Sequence, residues 1–591
     1  IIANGDVGQP YDGGGSGGSV WINCATFAGT NGIIRANGGE GGYYYGGGGG
    51  GGGRIAVVYQ SIIETPSIQF AARPGFLFSA LPAGMGTLYL PDSSLITAAS
   101  VSNLKYVRLI IPGFTAWNID TLAITNAAFS LGELAGFTLT VTNDLILNTN
   151  TWLCLGSLAY SSYRADGLPS SVSATNPILV IGSNLFLNGG VLTFGGESQI
   201  MASRLTAGSN LTLTNGGALL AYSGPTNAAA TNGTVVQITG DVAVHANSWI
   251  YPRSHGTNGG SVLFQCRNLL IGATNGGVNA DGAGFKSLGT SVWGPGQGVS
   301  AGSRGGGGGY GGIGGRGENG AATGGPTYGT NKAPVNAGSG GAYGYAAGPG
   351  NAYGGGAIHI IASNIFNNGI ITANGVNSAS SYGGGGSGGG IFITCASFIG
   401  NSNAVVRANG GAGGGVGGGG GGGRIAIGVG ITPEQRDMLI TDQPIDGFNL
   451  YATHGPFTGT VSVVKGTGSY SPYAEDGTKT FMTADRVSLT VNSDPANYGS
   501  PDPYYGTTID IPIDSTVTGT VVSPADELNG TRRACLGWIL SNTTGIVDQD
   551  ITTQAVFQLS ENRFLTWRWT NEYLLTVNPG AGGTFTAPAG W

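Results

Sequence analysis

Short stretches of alternating apolar and polar residues run through most of the chain. Asp144–Leu147, Asn184–Leu187, Asn210–Leu213, Asp241–Val244, Asn268–Ile271 and Asn364–Phe366 each begin with Asn or Asp and continue as a short apolar strand. Successive starts lie 26 to 40 residues apart until a glycine-rich excursion intervenes before the last. Spacing of this kind fits the rungs of a parallel β-helix, in which one coil cannot bury its apolar face until the next stacks on it. The leading Asn or Asp turns the chain, and copies on successive rungs are placed to form an amide ladder. Tight hairpin signals between strands are few, which disfavours an antiparallel sandwich here. Glycine and β-branched content disfavour helix.

A longer repeat overlies the rungs. The sequence from Gly13 to Val57 matches that from Gly384 to Ile427, and Arg54 aligns with Arg424 at an offset of 424 − 54 = 370 residues. Each copy carries a polyglycine run, Gly46–Gly53 and Gly417–Gly423, followed by Arg-Ile-Ala. A threefold polyglycine strand rises about 3.1 Å per residue, so eight residues cover roughly 25 Å, one side of a solenoid. Ordering glycine is entropically costly, so the runs are either bundled against one another or flexible linkers. Matching strands on both sides of each run favour the bundle. Arg54 and Arg424 then either cap carbonyls at the bundle end or stay in solvent.

The pattern divides the chain into six segments. Residues 1–58 end one glycine-rich unit, 59–118 form a β-rich excursion or linker, and 119–430 form a β-helix with glycine-rich insertions. Residues 431–486 form a second excursion or linker, 487–572 a β-sandwich with more charge and less glycine, and 573–591 the start of a further repeat. The expected class is all-β: a glycine-rich parallel β-helix with polyglycine-II-like segments, then an antiparallel sandwich.

Composition sharpens this picture. There are 116 glycines in 591 residues, against a usual share of about 7%. Charged residues are 9% and apolar ones 40%, so low-complexity disorder is disfavoured. The net charge of −7 comes with no basic stripe, which argues against a nucleic-acid partner. No apolar run is long enough for a membrane span. The chain opens at Ile1 without an initiator methionine and closes at Trp591 in mid-module. Both ends read as cuts, with export signals and anchors expected outside this sequence.

Candidate chemistry is sparse. The five cysteines do not suggest a disulfide framework. Cys24, Cys266 and Cys395 each end an alternating strand and read as small inward core residues. His245, His255, His359 and His454 are scattered, without ligand spacing to a cysteine or carboxylate. No carboxylate occurs between Glu318 and Glu434. Asp144, Asp166, Glu197 and Asp241 remain candidates to meet across rungs, while Asp281 reads as a lone turn residue. No catalytic, cofactor or metal site is assigned. Tyr43, Tyr44 and Tyr45 suit surface contact with glycan or protein, or packing on the neighbouring unit. Trp567 and Trp569 share one strand face and read as sandwich core.

The segments Ser488–Val491, Thr531–Trp538, Leu565–Trp569 and Tyr573–Val577 resemble the divergent internalin-type B-repeat, or bacterial repeat domain, of tandem surface proteins. The glycine-rich blocks are similar to those of very large surface proteins of environmental bacteria. They are also similar to the polyglycine-II bundles of phage tail-tip adhesins and of the anaplastic lymphoma kinase receptor. These resemblances imply an extracellular, bacterial cell-surface location. The expected function is a non-catalytic structural or adhesive surface or filament protein, part of a longer repetitive chain. Its expected partners are further copies or adjoining repeats of the same chain, with glycans or other cell surfaces as the alternative. A glycan-binding adhesin is the first alternative and a carbohydrate-active β-helix enzyme the second.

Overall fold

A computed structural model describes the chain except residues 43–46, 64–65, 76–82, 133–135, 164–168, 174–175, 197–201, 227–231, 289–290, 319–321, 345–351, 444–447, 452–455, 471, 578–579, 584–589 and 591. Two compact units emerge: residues 1–427 with 452–481, and residues 428–451 with 482–591.

The first unit is a parallel β-solenoid. A typical coil contains three short strands, such as Ile178–Ile181, Leu185–Asn188 and Val191–Gly195. Alternation turns every second side chain inward, and rung upon rung these side chains fall into register. One column runs Leu139, Leu179, Leu205, Val236, Phe264, Ile360, Ile393. A second runs Leu145, Leu185, Leu211, Val242, Leu269, Ile365, Phe398. A third runs Leu153, Leu192, Leu219, Ile250, Val278, Ile371, Val406. All are buried, and each side chain contributes about 1.5–3 kcal/mol of apolar burial. Residues 59–118 supply the strands Ser67–Ala71, Gly86–Tyr89 and Leu104–Ile110 to the same sheet system.

A polar ladder edges these columns. The Asp144 carboxylate accepts from the backbone N–H and amide of Asn184 at 2.9 and 3.0 Å. Asn184 Oδ1 accepts the Asn210 amide at 3.3 Å, and Asn210 Oδ1 accepts the Asp241 N–H at 2.9 Å. The series continues through Asn268 to Asn364, at 2.7 and 2.8 Å. Each side chain thus satisfies backbone or amide donors of the next rung. Asp281 belongs to a second ladder and is not the lone turn residue that its sequence context suggests. Its carboxylate accepts from Asn374 N–H and Thr372 Oγ1, both at 2.6 Å. Asn374 in turn accepts the Asn409 N–H at 2.8 Å, and Asn409 that of Val464 at 2.8 Å.

The second polyglycine run is the centre of a bundle whose contacts repeat every three residues. A Cβ on Gly417, Gly420 or Gly423 would lie 1.9–2.2 Å from the carbonyl oxygens of Gly383, Gly386 and Gly389. Gly418 and Gly421 face Gly315 and Gly312, while Gly419 and Gly422 face Gly466 and Val463. The N–H groups reach three further segments: Gly418 and Gly421 bond Gly305 and Gly308, Gly420 and Gly423 bond Gly411 and Ala408, and Gly422 bonds Glu475. Six neighbours around one strand require the threefold polyglycine conformation and the absence of Cβ atoms.

Among the described residues, the first run has the same neighbours on two sides only. Gly47, Gly50 and Gly53 face Asp12, Gly15 and Gly18, and Gly49 and Gly52 face Gly75 and Ala72. On the third side, among the described residues, Gly48 meets no atom within 4 Å and Gly51 meets only Gly84 O at 4.0 Å. Two runs that look equivalent in sequence therefore differ in their surroundings. The strands that cover Gly418 and Gly421 come from the glycine-rich insertion ahead of the second copy.

In the second unit, Thr508–Pro512, Arg486–Asp494, Arg563–Tyr573, Thr531–Asn542, Ala525–Leu528 and Gly545–Asp550 form one sheet. Ser515–Thr520 pairs with Gln554–Leu559. Pairing is antiparallel except between Arg486–Asp494 and Arg563–Tyr573, which run parallel. Leu489, Leu540, Phe557 and Leu565 pack with Trp538, Trp567 and Trp569 in a shared core, so Trp567 and Trp569 are core residues. A helix, Pro433–Ile440, stands in the segment that the sequence pattern assigns to a β-rich excursion or linker. Thr432 caps it, accepting from Gln435 N–H while Gln435 Oε1 accepts from Thr432 N–H. No helix among the described residues is long and apolar enough to cross a membrane.

Candidate functional site

The strand Leu104–Ile110 is a branch point. Its first residues pair with Ser67–Ala71 and its later ones with Gly86–Tyr89. Its other edge pairs with Ala128–Leu131, through a bulge between Lys105 and Val107. The bulged residue, Tyr106, has φ +57°. A non-glycine residue in the left-handed region is unusual and is held there by its surroundings, and bulges commonly re-aim side chains beside functional sites.

A cleft of about 540 Å³ opens at this branch, within the range of small-ligand sites, about 300–1,000 Å³. Its wall is a column of paired residues: Arg35, Ala71, Lys105, Ala128, Trp152 and Val191. They lie on the face opposite the buried Phe70 and Leu104. Long and short side chains alternate along it, so Ala71 and Ala128 leave recesses between Arg35, Lys105 and Trp152. The Lys105 ammonium donates to Ser102 O at 3.0 Å and to Asn126 O, and burial draws its pKa below the ordinary lysine value. The Arg73 guanidinium lies over the Tyr106 ring, 5.4 Å from its centroid, in cation–π range. Asn37 Oδ1 holds the Arg73 backbone N–H at 3.0 Å. Trp152 Nε1 donates to Thr193 Oγ1 at 2.9 Å, which fixes the indole against the rung. Asn37, Gln69, Asn126 and Asn150 add amides to the lining, and none of the described lining residues is acidic. The arrangement can bind an anion and an apolar ring together.

None of the described residues singled out from sequence lines the cleft. Tyr43, Tyr44 and Tyr45 lie outside the described residues, as do Asp166, Glu197 and His454. Arg424 is buried: it donates to Tyr328 O and Thr478 Oγ1, both at 3.1 Å, and lies over the Tyr310 ring. Arg54 is exposed. One of the aligned pair therefore caps a carbonyl and the other stays in solvent. Cys395 is buried, and Cys24 and Cys266 are half-buried. Cys266 and Cys395 both register with Ala362 on the rung between them. Burial pushes both thiols up to about 12, Cys266 with help from Asp241, so neither is a poised nucleophile.

Asp144 and Asp241 do not meet. Asn184 and Asn210 stand between them, so the two carboxylates are three rungs apart, about 14 Å at a rung spacing of 4.7–4.9 Å. Paired-carboxylate hydrolysis needs about 5–9.5 Å. Both carboxyls are held below the usual carboxylate range by their bonds, Asp144 by Asn184 N–H and Asp241 by Arg267. Among the described residues no cluster of His, Cys, Asp and Glu fits a metal ion.

His359 is buried against Phe392, and His245 is exposed. His255 accepts the Asn258 N–H through Nδ1 at 3.1 Å. Burial, with Lys286 nearby, lowers its pKa to about 4. A folded pKa below the unfolded value near 6.5 means that the neutral imidazole stabilises the fold above that value. The contribution is lost as pH falls from about 6.5 through about 4. The expected result is a melting midpoint that declines over this window and declines less in His255→Gln.

Arg35, Arg73 and Lys105 were not visible as a group in sequence, because each sits on a different rung. Comparison with protein-family models, with curated proteins and with solved structures returns no match for this chain.

Proposed function

We propose that the chain is a structural and adhesive surface protein, extracellular and non-catalytic, built to hold a long, stiff surface. The observation that carries this reading is the polyglycine strand Gly417–Gly423, packed on three faces and hydrogen-bonded to further segments. Fixing so much glycine is entropically costly, and a compact binding domain has no need of it. Two side-chain ladders along the rungs serve the same end, since they tie each coil to the next. The bacterial surface assignment draws support from the resemblance of residues 487–591 to tandem surface repeats. In electron micrographs and sedimentation over a range of concentrations, the reading expects end-to-end assembly of the purified chain. Isolated particles at every concentration would contradict a filament role.

The cleft beside Leu104–Ile110 favours a second reading, a glycan-binding adhesin, in which the solenoid displays the site. Indole and phenol rings beside amides suit sugar recognition, since they combine apolar area with hydrogen-bonding edges.

A further inference from the structure

We propose that the cleft binds a linear acidic polysaccharide, with Arg35, Arg73 and Lys105 meeting anionic groups repeated along the polymer and Trp152 lying against a sugar ring. The inference rests on the glycan-binding reading and names the ligand class.

Three features carry it. First, the cations are spread along the solenoid and do not converge. Arg35 and Lys105 are two rungs apart through Ala71, about 10 Å between backbones. A single carboxylate or phosphate cannot bridge that distance, whereas charges repeated along a chain can. Second, the column from Arg35 to Trp152 spans four rung spacings, about 19 Å, and ends on a ring braced by Thr193. The alanines at positions 71 and 128 leave room for pendant groups between the long side chains. Third, positive charge is concentrated here in a chain of net charge −7. The described lining residues include three cations and no acid, so the local potential opposes the global one and selects anions at the cleft.

Carboxylate and sulfate share this chemistry, since arginine forks and lysine donate to both. The test is calorimetric titration of the 591-residue chain with oligogalacturonate, with its methyl ester, with dextran sulfate and with a single-stranded DNA oligomer. The methyl ester keeps the sugar backbone and removes the charge. The proposal expects binding of one or both charged glycans, weakened by salt, and none of the ester. Lys105→Gln should weaken binding about tenfold, the loss expected for one charge-assisted hydrogen bond. Lys105→Arg should retain most of it, and Lys332→Gln, an exposed cation elsewhere, should change nothing. Because Lys105 ties two carbonyls, Arg35→Gln provides an independent variant, expected to weaken binding severalfold with an unchanged melting curve. Equal binding of the ester would overturn the acidic class while leaving a glycan site. Tighter binding of the oligonucleotide, or no binding of either charged glycan, would overturn the proposal outright.

Discussion

Gly418→Ala is expected to lower the unfolding midpoint of the solenoid sharply, while Gly48→Ala, at the aligned position of the first copy, is expected to leave it unchanged or raise it. The new Cβ at position 418 would sit 1.9 Å from Gly315 O, a backbone atom that cannot rotate away. Relief requires one polyglycine strand to move off another, which also disturbs the bonds from Gly418 to Gly305 and from Gly315 to Gly419. The loss is expected at the upper end of the overpacking range of about 1–3 kcal/mol, or beyond it. At Gly48 the Cβ meets none of the described residues within 4 Å, and neither glycine occupies the left-handed region. The substitution there mainly restricts the unfolded chain, a gain of about 0.4–1 kcal/mol. The opposite signs separate steric exclusion of a side chain from any general intolerance of polyglycine to alanine. Midpoints are the quantity to compare, because a two-unit chain need not unfold in one step.

The second large effect is expected in the side-chain ladder. Asn210→Ala removes the acceptor of the Asp241 N–H and the donor to Asn184 Oδ1 at once. These groups are partly buried between rungs, where an unsatisfied donor costs about 1–3 kcal/mol. Asn275→Ala also removes an amide that bonds the preceding rung, at 2.7 Å to Asn247, but in solvent, and water replaces the partner at little cost. Denaturant unfolding of the two variants should differ by at least about 1 kcal/mol. Substituting Asn184 and Asn210 together should cost less than the sum of the single effects, since they share one bond.

The polyglycine bundle and the side-chain ladder are disclosed unevenly by the sequence. The ladder is legible because its residues stand at the same point of each rung, immediately before the strand, so alignment of the strands aligns them. The apolar columns are legible for the same reason. The helix at Pro433 was also written in the chain, as Thr-Pro-Glu-Gln, a capping-box pattern with proline at the first position, but it lies in a region otherwise rich in strand signals. The cleft is a different case. Arg35, Lys105 and Trp152 become neighbours only through rungs of unequal length, and one bulge at Tyr106 shifts the register between them. No local pattern encodes that. The difference between the two polyglycine runs is hidden likewise, because it depends on residues 305–315 folding back onto one copy.

Amide hydrogen exchange across Gly417–Gly423 reports whether the run is a packed strand or a loose linker. A packed bundle in which the N–H groups of Gly418 and Gly420–Gly423 bond neighbouring segments predicts slow exchange at these positions, close to that of the rung strands Ala357–Asn367 and Gly390–Ile399. Gly48, whose third side meets none of the described residues within 4 Å, should exchange faster than Gly418. Rapid exchange throughout Gly417–Gly423, at the rate of an unstructured glycine linker, would contradict the bundle and the structural role built on it.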